Sequence, residues 1–167
     1  TIRVDDAHPS LASVSVSASI RASRPIIVER AMYWPGNYST WYEAHNSAGV
    51  TSTGTVWALA EGEKGGSLAF ASYVLFANPG AADATVRVSL LRASGRTEIA
   101  PFVVPAGRRV TKCACPSGLA DNFPVLASGE KFGFLVESDQ PVVVERSMYW
   151  NGGNQFWGGG TNETAVK

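Results

Sequence analysis

Histidines, glutamates, cysteines and clustered aromatic residues are the side chains in this sequence with the types and spacing that could do chemistry. Catalysis needs a nucleophile beside a base, or an acid coupled to a base. The two histidines, His8 and His45, stand in no known catalytic motif. Glu29 and Glu145 could form a glycosidase pair only if they lay together, but they occupy equivalent places in a repeated segment, which favours one structural role played twice. The sequence therefore predicts that the protein is not an enzyme.

Aromatic residues crowd two stretches that also contain glycine and asparagine, as loops do. Exposed rings beside amides and hydroxyls suit the binding of a sugar or another protein, whereas rings that cap the end of a core contribute burial alone. Both interpretations stay open for each ring. The candidates for a binding role are Trp34, Tyr38, Trp41, Tyr42, Trp150 and Trp157.

Cys113 and Cys115, the only cysteines, are separated by one residue. In a strand their side chains share a face with Cα atoms about 6.5 Å apart, so a disulfide between them is expected to be strained. We expect two small buried thiols. A bond to another chain and half of a metal site are the alternatives, although the sequence shows no further ligands for a metal. We predict no metal and no cofactor.

Charge excludes two classes of partner. Lysine plus arginine and aspartate plus glutamate each number 14, so the net charge is zero and no field recruits nucleic acid or an anionic membrane. No run approaches the roughly 18 to 20 apolar residues of a membrane helix. We expect neither nucleic-acid binding nor membrane insertion.

The hydrophobic pattern indicates strands that would position these residues. Strict apolar and polar alternation covers 13–20, 84–90 and 132–136, and more continuous apolar runs cover 25–34, 69–77 and 99–104. Turn-forming sequences lie at 78–80, 94–95, 105–107, 116–118 and 138–141. Turns about ten residues apart are typical of sandwiches and barrels. We predict an all-β, immunoglobulin-like antiparallel β-sandwich, with at most one short helix or 3₁₀ turn around 119–123.

One segment occurs twice. Residues 24–34 align with 140–150 at an offset of 116, with seven identities in eleven positions. A period of this length suits one whole sandwich domain per unit. The sequence therefore predicts a complete repeat unit at 55–167. Residues 1–54 are predicted to be the closing strands of a preceding repeat or extra strands of the same sandwich.

The repeated strand also carries a charge on each face, because alternation places Glu29 and Arg30 on opposite sides. If the strand is central, at least one charge is buried and needs a partner. We expect Glu61 to pair with Arg30 or Arg146 and so to fix the register of the strand; an arginine that clamps a ligand is the alternative. The candidates for structural ion pairs are Glu29, Arg30, Glu61, Glu145 and Arg146.

The motifs at 29–34, 57–62, 78–80 and 105–106 together resemble a poorly characterised family of bacterial exported repeat domains, whose Glu-Arg-Ala-Met-Tyr and Trp-x-Leu-Ala-Glu-Gly motifs recur in long surface or secreted chains. The resemblance covers most of 24–162. It implies a β-sandwich located outside the cell or at its surface, and it supplies no catalytic residues. The chain departs from the pattern at Cys113-Ala114-Cys115.

From these observations we expect a non-catalytic structural or adhesive module of an exported bacterial surface or filament protein, which associates through strand edges or aromatic loops. Its partners would be other copies of itself or neighbouring repeat domains. The alternative is a carbohydrate-binding module that takes a polysaccharide on the exposed tryptophans and tyrosines after the repeated strand.

Overall fold

A computed structural model describes residues 1–35 and 41–167. In these residues two short helical elements, α1 (Val4–Ala7) and the 3₁₀ helix η1 (Pro9–Leu11), precede the strands. The strands are β1 (Glu29–Trp34), β2 (Glu43–Ala48), β3 (Gly54–Lys64), β4 (Ala71–Asn78), β5 (Ala84–Arg92), β6 (Gly95–Val104), β7 (Arg108–Ala114), β8 (Glu130–Gly152) and β9 (Gln155–Thr164). Their pairings are antiparallel. The all-β, antiparallel sandwich-like fold that the sequence predicts is confirmed.

Strand β8 belongs to two sheets. Its first half pairs with β3 and β5, which gives the strand order β6-β5-β8-β3. Its second half pairs with β4 and β9, which gives the order β7-β4-β8-β9. A strand of 23 residues is long for a globular protein, and the change of sheet near its middle accounts for that length.

The turn predicted at 138–141 is wrong, because these residues lie inside β8. They mark the place where β8 leaves one sheet for the other: Ser138 still pairs with Val86 of β5, and Val143 already pairs with Ala77 of β4. Proline removes a ladder hydrogen bond and suits such an interruption, which explains how Pro141 fits within a strand. The turn signals at 78–80, 94–95 and 105–107 do separate consecutive strands.

The core lies between the two sheets and is formed by residues from Trp57 to Ala165. Alternation on β5 and β8 supplies half of its buried residues, and the ring of Phe76 on β4 meets that of Phe102 on β6 with centroids 5.1 Å apart. The largest fully buried side chains are Trp57, Phe76, Phe123, Phe134, Leu90, Val74, Val86, Val88, Val104, Val136, Val142 and Val144. The described residues before β3 contribute nothing to this core.

The N-terminal third differs most from the prediction. The alternating segment 13–20 forms no strand, and Val14, Val16 and Ile20 are exposed. Of the predicted inner strand 25–34, only β1 forms, and Ile27 is 93% exposed. The short helical elements stand at this end of the chain, whereas 119–123 is irregular. In the part of the chain that the structure describes, no helix is long and apolar enough to cross a membrane.

Candidate binding surface

Two hairpins of this molecule have the same register. In the β1–β2 hairpin Glu29 pairs with Ala48, and adding 116 to each number gives Glu145 and Thr164, which pair in the β8–β9 hairpin. All six residue pairs of the first hairpin correspond in this way to pairs of the second. The sequence alignment therefore matches two hairpins with the same residue pairing. One belongs to the sandwich, and the other lies outside it.

The β1–β2 hairpin packs on the outside of the sandwich through residues whose equivalents in the β8–β9 hairpin include a buried side chain. Arg30 and Trp34 correspond to Arg146 and Trp150, and the first of these, Arg146, is only 3% exposed and reaches Glu61 within the sandwich. Arg30 instead contacts Glu145, on the other side of β8. The hairpin meets a surface formed by Glu145, Tyr149, Gly160 and Asn162, beside which lie Tyr73 and Arg109. These six residues are called the receiving face below.

Trp34 lies over Gly160 on the receiving face. Its indole Nε1 donates a hydrogen bond of 2.8 Å to the carbonyl oxygen of Trp157. Its ring stands edge-on to Tyr149, with centroids 5.4 Å apart. A Cβ added at Gly160 would come within 2.8 Å of the Trp34 ring, closer than real Cβ contacts allow. Glycine at this position is what lets the indole approach the strand.

An ion pair holds the other end of the hairpin. Both terminal nitrogens of Arg30 bond the carboxylate of Glu145, one of them at 3.3 Å, in the two-pronged arrangement that favours arginine. Asn162 Nδ2 donates to the same carboxylate at 3.0 Å. The Glu145 side chain is 19% exposed, so this pair is screened less than a surface pair.

Three buried polar atoms around this pair, Arg30 Nε, Arg109 Nε and Asn162 Oδ1, have no hydrogen-bond partner among the described residues. Burial also lowers the pKa of Arg109. An unpaired buried polar atom costs about 1–3 kcal/mol, which offsets part of the gain from the ion pair and the tryptophan. These atoms therefore lower the net stabilisation that the contacts of the docked hairpin provide.

His45, on β2, also packs between the hairpin and the receiving face. Its Nε2 lies 3.3 Å from the hydroxyl of Tyr149, and its ring is 5.4 Å from that of Trp34. Burial, and then the nearby Arg30 cation, lower the pKa of His45, while Glu145 acts in the opposite direction. Burial also raises the pKa of Tyr149. The docked hairpin thus favours a neutral imidazole.

The predicted ion-pair residues separate into two groups. Arg146 donates to the carbonyl oxygen of Glu61 at 3.1 Å and lies 3.5 Å from its carboxylate, so it meets the residue named for it from the sequence. Arg30 does not; it meets Glu145. Glu29 is exposed at the start of β1.

The five predicted aromatic residues that the structure describes do not form one site. Trp41 is 66% exposed and lies against Tyr33 with ring centroids 5.4 Å apart. Tyr42 is 40% exposed. Trp150 is half-buried against Phe70. Tyr38 lies outside the described residues. Trp34 and Trp157 meet at the receiving face through the Trp34 hydrogen bond.

The rings on the receiving face continue to the tip of the β8–β9 hairpin as a stack. Tyr149 and Trp157 stack with centroids 4.7 Å apart, and Phe156 stacks on Trp157 at 4.9 Å. Phe156 is 64% exposed, so the stack runs from the covered part of the face to solvent.

The expectation of two thiols is wrong, because Cys113 and Cys115 form a disulfide. Strand β7 ends at Ala114, so the chain leaves the extended conformation between the two cysteines. Their Cα atoms are 5.2 Å apart instead of the expected separation, within the usual span of a disulfide. Both side chains are buried beside Ala71 and Tyr73.

Sequence reasoning missed the receiving face itself. Tyr73 and Arg109 belong to strands without a repeated motif, and nothing in the sequence places them beside β8. Gly160 carried the one usable signal: the first copy has Ala44 at the equivalent position, so the two hairpins differ where a ring is received. His45 faces Tyr149, although the second copy has Thr161 in its place.

No known family model matches this chain, and no curated protein matches it. Among solved structures the chain is similar to the crystal structure of Thermotoga maritima 1070, with a TM-score of 0.56 and 14% identity, over 70% of this chain and 96% of that one. It is also similar to the Anabaena sensory rhodopsin transducer, with a TM-score of 0.45 and 22% identity, over 57% of this chain and 97% of that one. At 14% identity, the likeness to the Thermotoga protein concerns the fold alone.

Proposed function

We propose that this chain is a non-catalytic structural or adhesive module of an exported bacterial surface or filament protein, and that it associates through residues 13–48. The observation that carries the proposal is the β1–β2 hairpin. It has the register of the hairpin that completes the sandwich, yet it lies outside the core and follows an exposed segment that forms no strand among the described residues. A two-stranded hairpin is marginally stable by itself in water, so it depends on the surface that it packs against, which within this chain is the receiving face.

The exposed segment before β1 supports association through strand edges. By the offset of 116, residues 14–22 correspond to the part of β8 that pairs with β3 and β5, whereas 14–22 pair with no strand among the described residues. Exposed apolar residues that alternate with polar ones, in a segment without a strand partner, are suited to adding a strand to the edge of another sheet. In a repeated array, the partner strands would belong to a neighbouring unit.

The disulfide supports an exported location, because disulfides persist mainly in oxidising compartments outside the cytosol. Non-catalytic action is supported by the contacts of the chemically active side chains. Glu145 is held by Arg30 and Asn162, and His45 packs against Tyr149, so both serve the docking of one hairpin.

Sedimentation velocity of the full chain over a range of concentrations tests the proposal. We expect association that weakens when Val14 and Ile20, both more than half exposed, are replaced by lysine. The matched control replaces the neighbouring exposed Ser15 and Ser19 by lysine, which adds the same charge without removing apolar surface. A wild-type chain that stays monomeric throughout, or equal weakening in both variants, would overturn the proposal.

A carbohydrate-binding module is the second candidate, favoured by the exposed pair of Trp41 and Tyr33 and by the exposed end of the Phe156 stack. Aromatic faces at such positions suit stacking on sugar rings. Polysaccharide pull-down with Trp41→Ala and Phe156→Ala tests this candidate. Retention that falls in either variant supports it, and retention that is absent or unchanged in both removes it.

A further inference from the structure

We infer that the receiving face is a docking site for the β1–β2 hairpin of a second copy of this chain, so that two copies exchange hairpins. This inference rests on the proposed function and names the partner and the surface: the same chain, bound through Trp34 over Gly160 and Arg30 on Glu145. Three features of the molecule carry it: the contacts of the hairpin, the segment that joins it to the sandwich, and the exposed apolar segment that precedes it.

The contacts between hairpin and receiving face come from the strands themselves. Arg30 and Trp34 of β1 and His45 of β2 make them, and they meet Glu145, Tyr149 and the Trp157 carbonyl. A second copy presents the same hairpin with the same groups. Exchange of an identical element reproduces every contact in trans, which is why it is a low-cost route to dimers.

A short exposed segment joins the hairpin to the sandwich. Strand β2 ends at Ala48 and β3 begins at Gly54, so five residues, 49–53, form the connection. Extended, they span at most about 17 Å. Short hinges favour exchange, because a hinge that must bend back to keep its hairpin in cis can straighten in trans. The ammonium group of Lys167 donates to the carbonyl oxygen of Ser52 at 2.8 Å, an exposed contact that a straightened hinge gives up.

The segment before the hairpin makes the difference between the two arrangements, because the contacts of the hairpin itself are the same in cis and in trans. Exchange brings the exposed apolar segments before the two hairpins to the same dimer, where Val14 and Ile20 can bury surface against the other copy.

Charge complementation between two variants tests the exchange. Arg30→Glu places a second carboxylate against Glu145 within one chain, and Glu145→Arg places two guanidinium groups together, so each variant repels its own hairpin. When the two variants are mixed, one interface of an exchanged pair joins two chains through the new glutamate and the new arginine, which attract each other. We expect the mixture to form a mixed dimer with a dissociation constant roughly tenfold or more below that of either variant alone, measured by sedimentation velocity and native mass spectrometry.

The other interface of that mixed dimer keeps the native pair, because it joins Arg30 of the Glu145→Arg chain to Glu145 of the Arg30→Glu chain. Both interfaces of an exchanged pair are therefore attractive, whereas both hairpins docked in cis are repelled. Attraction in the exchanged pair and repulsion within each chain distinguish exchange from association through any other surface. Association through another surface would let each variant pair equally well with itself and with the other variant.

A second pair of variants guards against misfolding of Glu145→Arg. Mixing Trp34→Ala with Gly160→Ala leaves one intact hairpin and one intact receiving face, on different chains, so exchange restores a single native interface. Mixed dimers in either mixture support the inference. If both mixtures behave as the sum of their components while the wild-type chain still associates, hairpin exchange is overturned and the proposed function stands. If the wild-type chain is monomeric at every concentration, both fail.

Discussion

At the scale of residues, a few side chains distinguish two hairpins that have the same pairing register. Gly160 stands where the first copy has Ala44, and a Cβ at Gly160 would come within 2.8 Å of the Trp34 ring. Arg30 and Arg146 stand at equivalent positions, but one meets the outer carboxylate of Glu145 and the other meets Glu61. The identities of these residues are readable from the sequence, whereas the face that each one meets depends on which strands surround its copy.

Gly160→Ala is expected to release the hairpin. The added Cβ would stand 2.8 Å from the Trp34 ring and 3.0 Å from that of Tyr149, so the rings must move or the hairpin must leave. Amide hydrogen exchange over 29–48 should accelerate at least several-fold while exchange in β4 and β5 is unchanged. Gly152→Ala is the control, because its Cβ would have ordinary contacts at 3.8 Å in the same hairpin. Equal protection in the two variants would contradict the role given to Gly160.

Docking should weaken in acid. The pKa of His45 is lowered in the docked state by burial and by Arg30, against the opposing effect of Glu145. The undocked imidazole therefore binds a proton more readily, so docking is strongest above the ordinary pKa of 6.5 and is lost progressively as the pH falls through that value. Hydrogen exchange of β1 and β2 between pH 8 and 5, corrected for intrinsic rates, measures this. His45→Gln should remove the pH dependence in that range; a wild-type profile without any would count against the assignment.

At the scale of elements, the sequence predicted what local patterns control. The strands β4, β5 and β6 fall where apolar runs and turn residues place them. The pattern could not reveal that 138–141 lies within β8, since the same residues form a turn in one context and a change of sheet in another. The alternation of 13–20 has the period of a strand, but a strand also needs a neighbour to pair with, and that is a tertiary property.

The Asn78-Pro79-Gly80 turn shows how one side chain can fix such a connection. Asn78 is 2% exposed, its Nδ2 donates to the carbonyl oxygens of Ala82 and Val104 at 2.8 and 3.0 Å, and its Oδ1 accepts from Gly80 N. Asn78→Ala should lower the free energy of unfolding by about 2–3 kcal/mol, measured by urea denaturation. Asp83→Ala, which removes one exposed bond to Ala106 N, should cost about 1 kcal/mol or less. A loss no greater for Asn78 than for Asp83 would show that the buried amide does not fix the turn.

At the scale of the whole molecule, the sandwich of β3 to β9 has its own core, to which the described residues before β3 contribute nothing. Val14, Val16 and Ile20 are exposed, and the β1–β2 hairpin lies against the outside of the sandwich. The sequence predicted a complete repeat unit at 55–167 and only closing or extra strands at 1–54, because the repeated segment lies near the start of the chain in one copy and near the end in the other. It could not predict the receiving face, since that surface combines residues from β4, β7, β8 and β9 that no linear motif connects. The division at residue 54 and the location outside the cell stay predictions.

Residues 13–48 are, in our proposal, an association segment. Hydrogen exchange of the full wild-type chain, measured at low and high protein concentration, tests this most directly, because protection that comes from a partner depends on concentration and protection within one chain does not. We predict that amides at 14–34 become more protected as the concentration rises, while those of β5 and the second half of β8 stay constant. Exchange over 14–34 that is the same at every concentration would contradict the proposal.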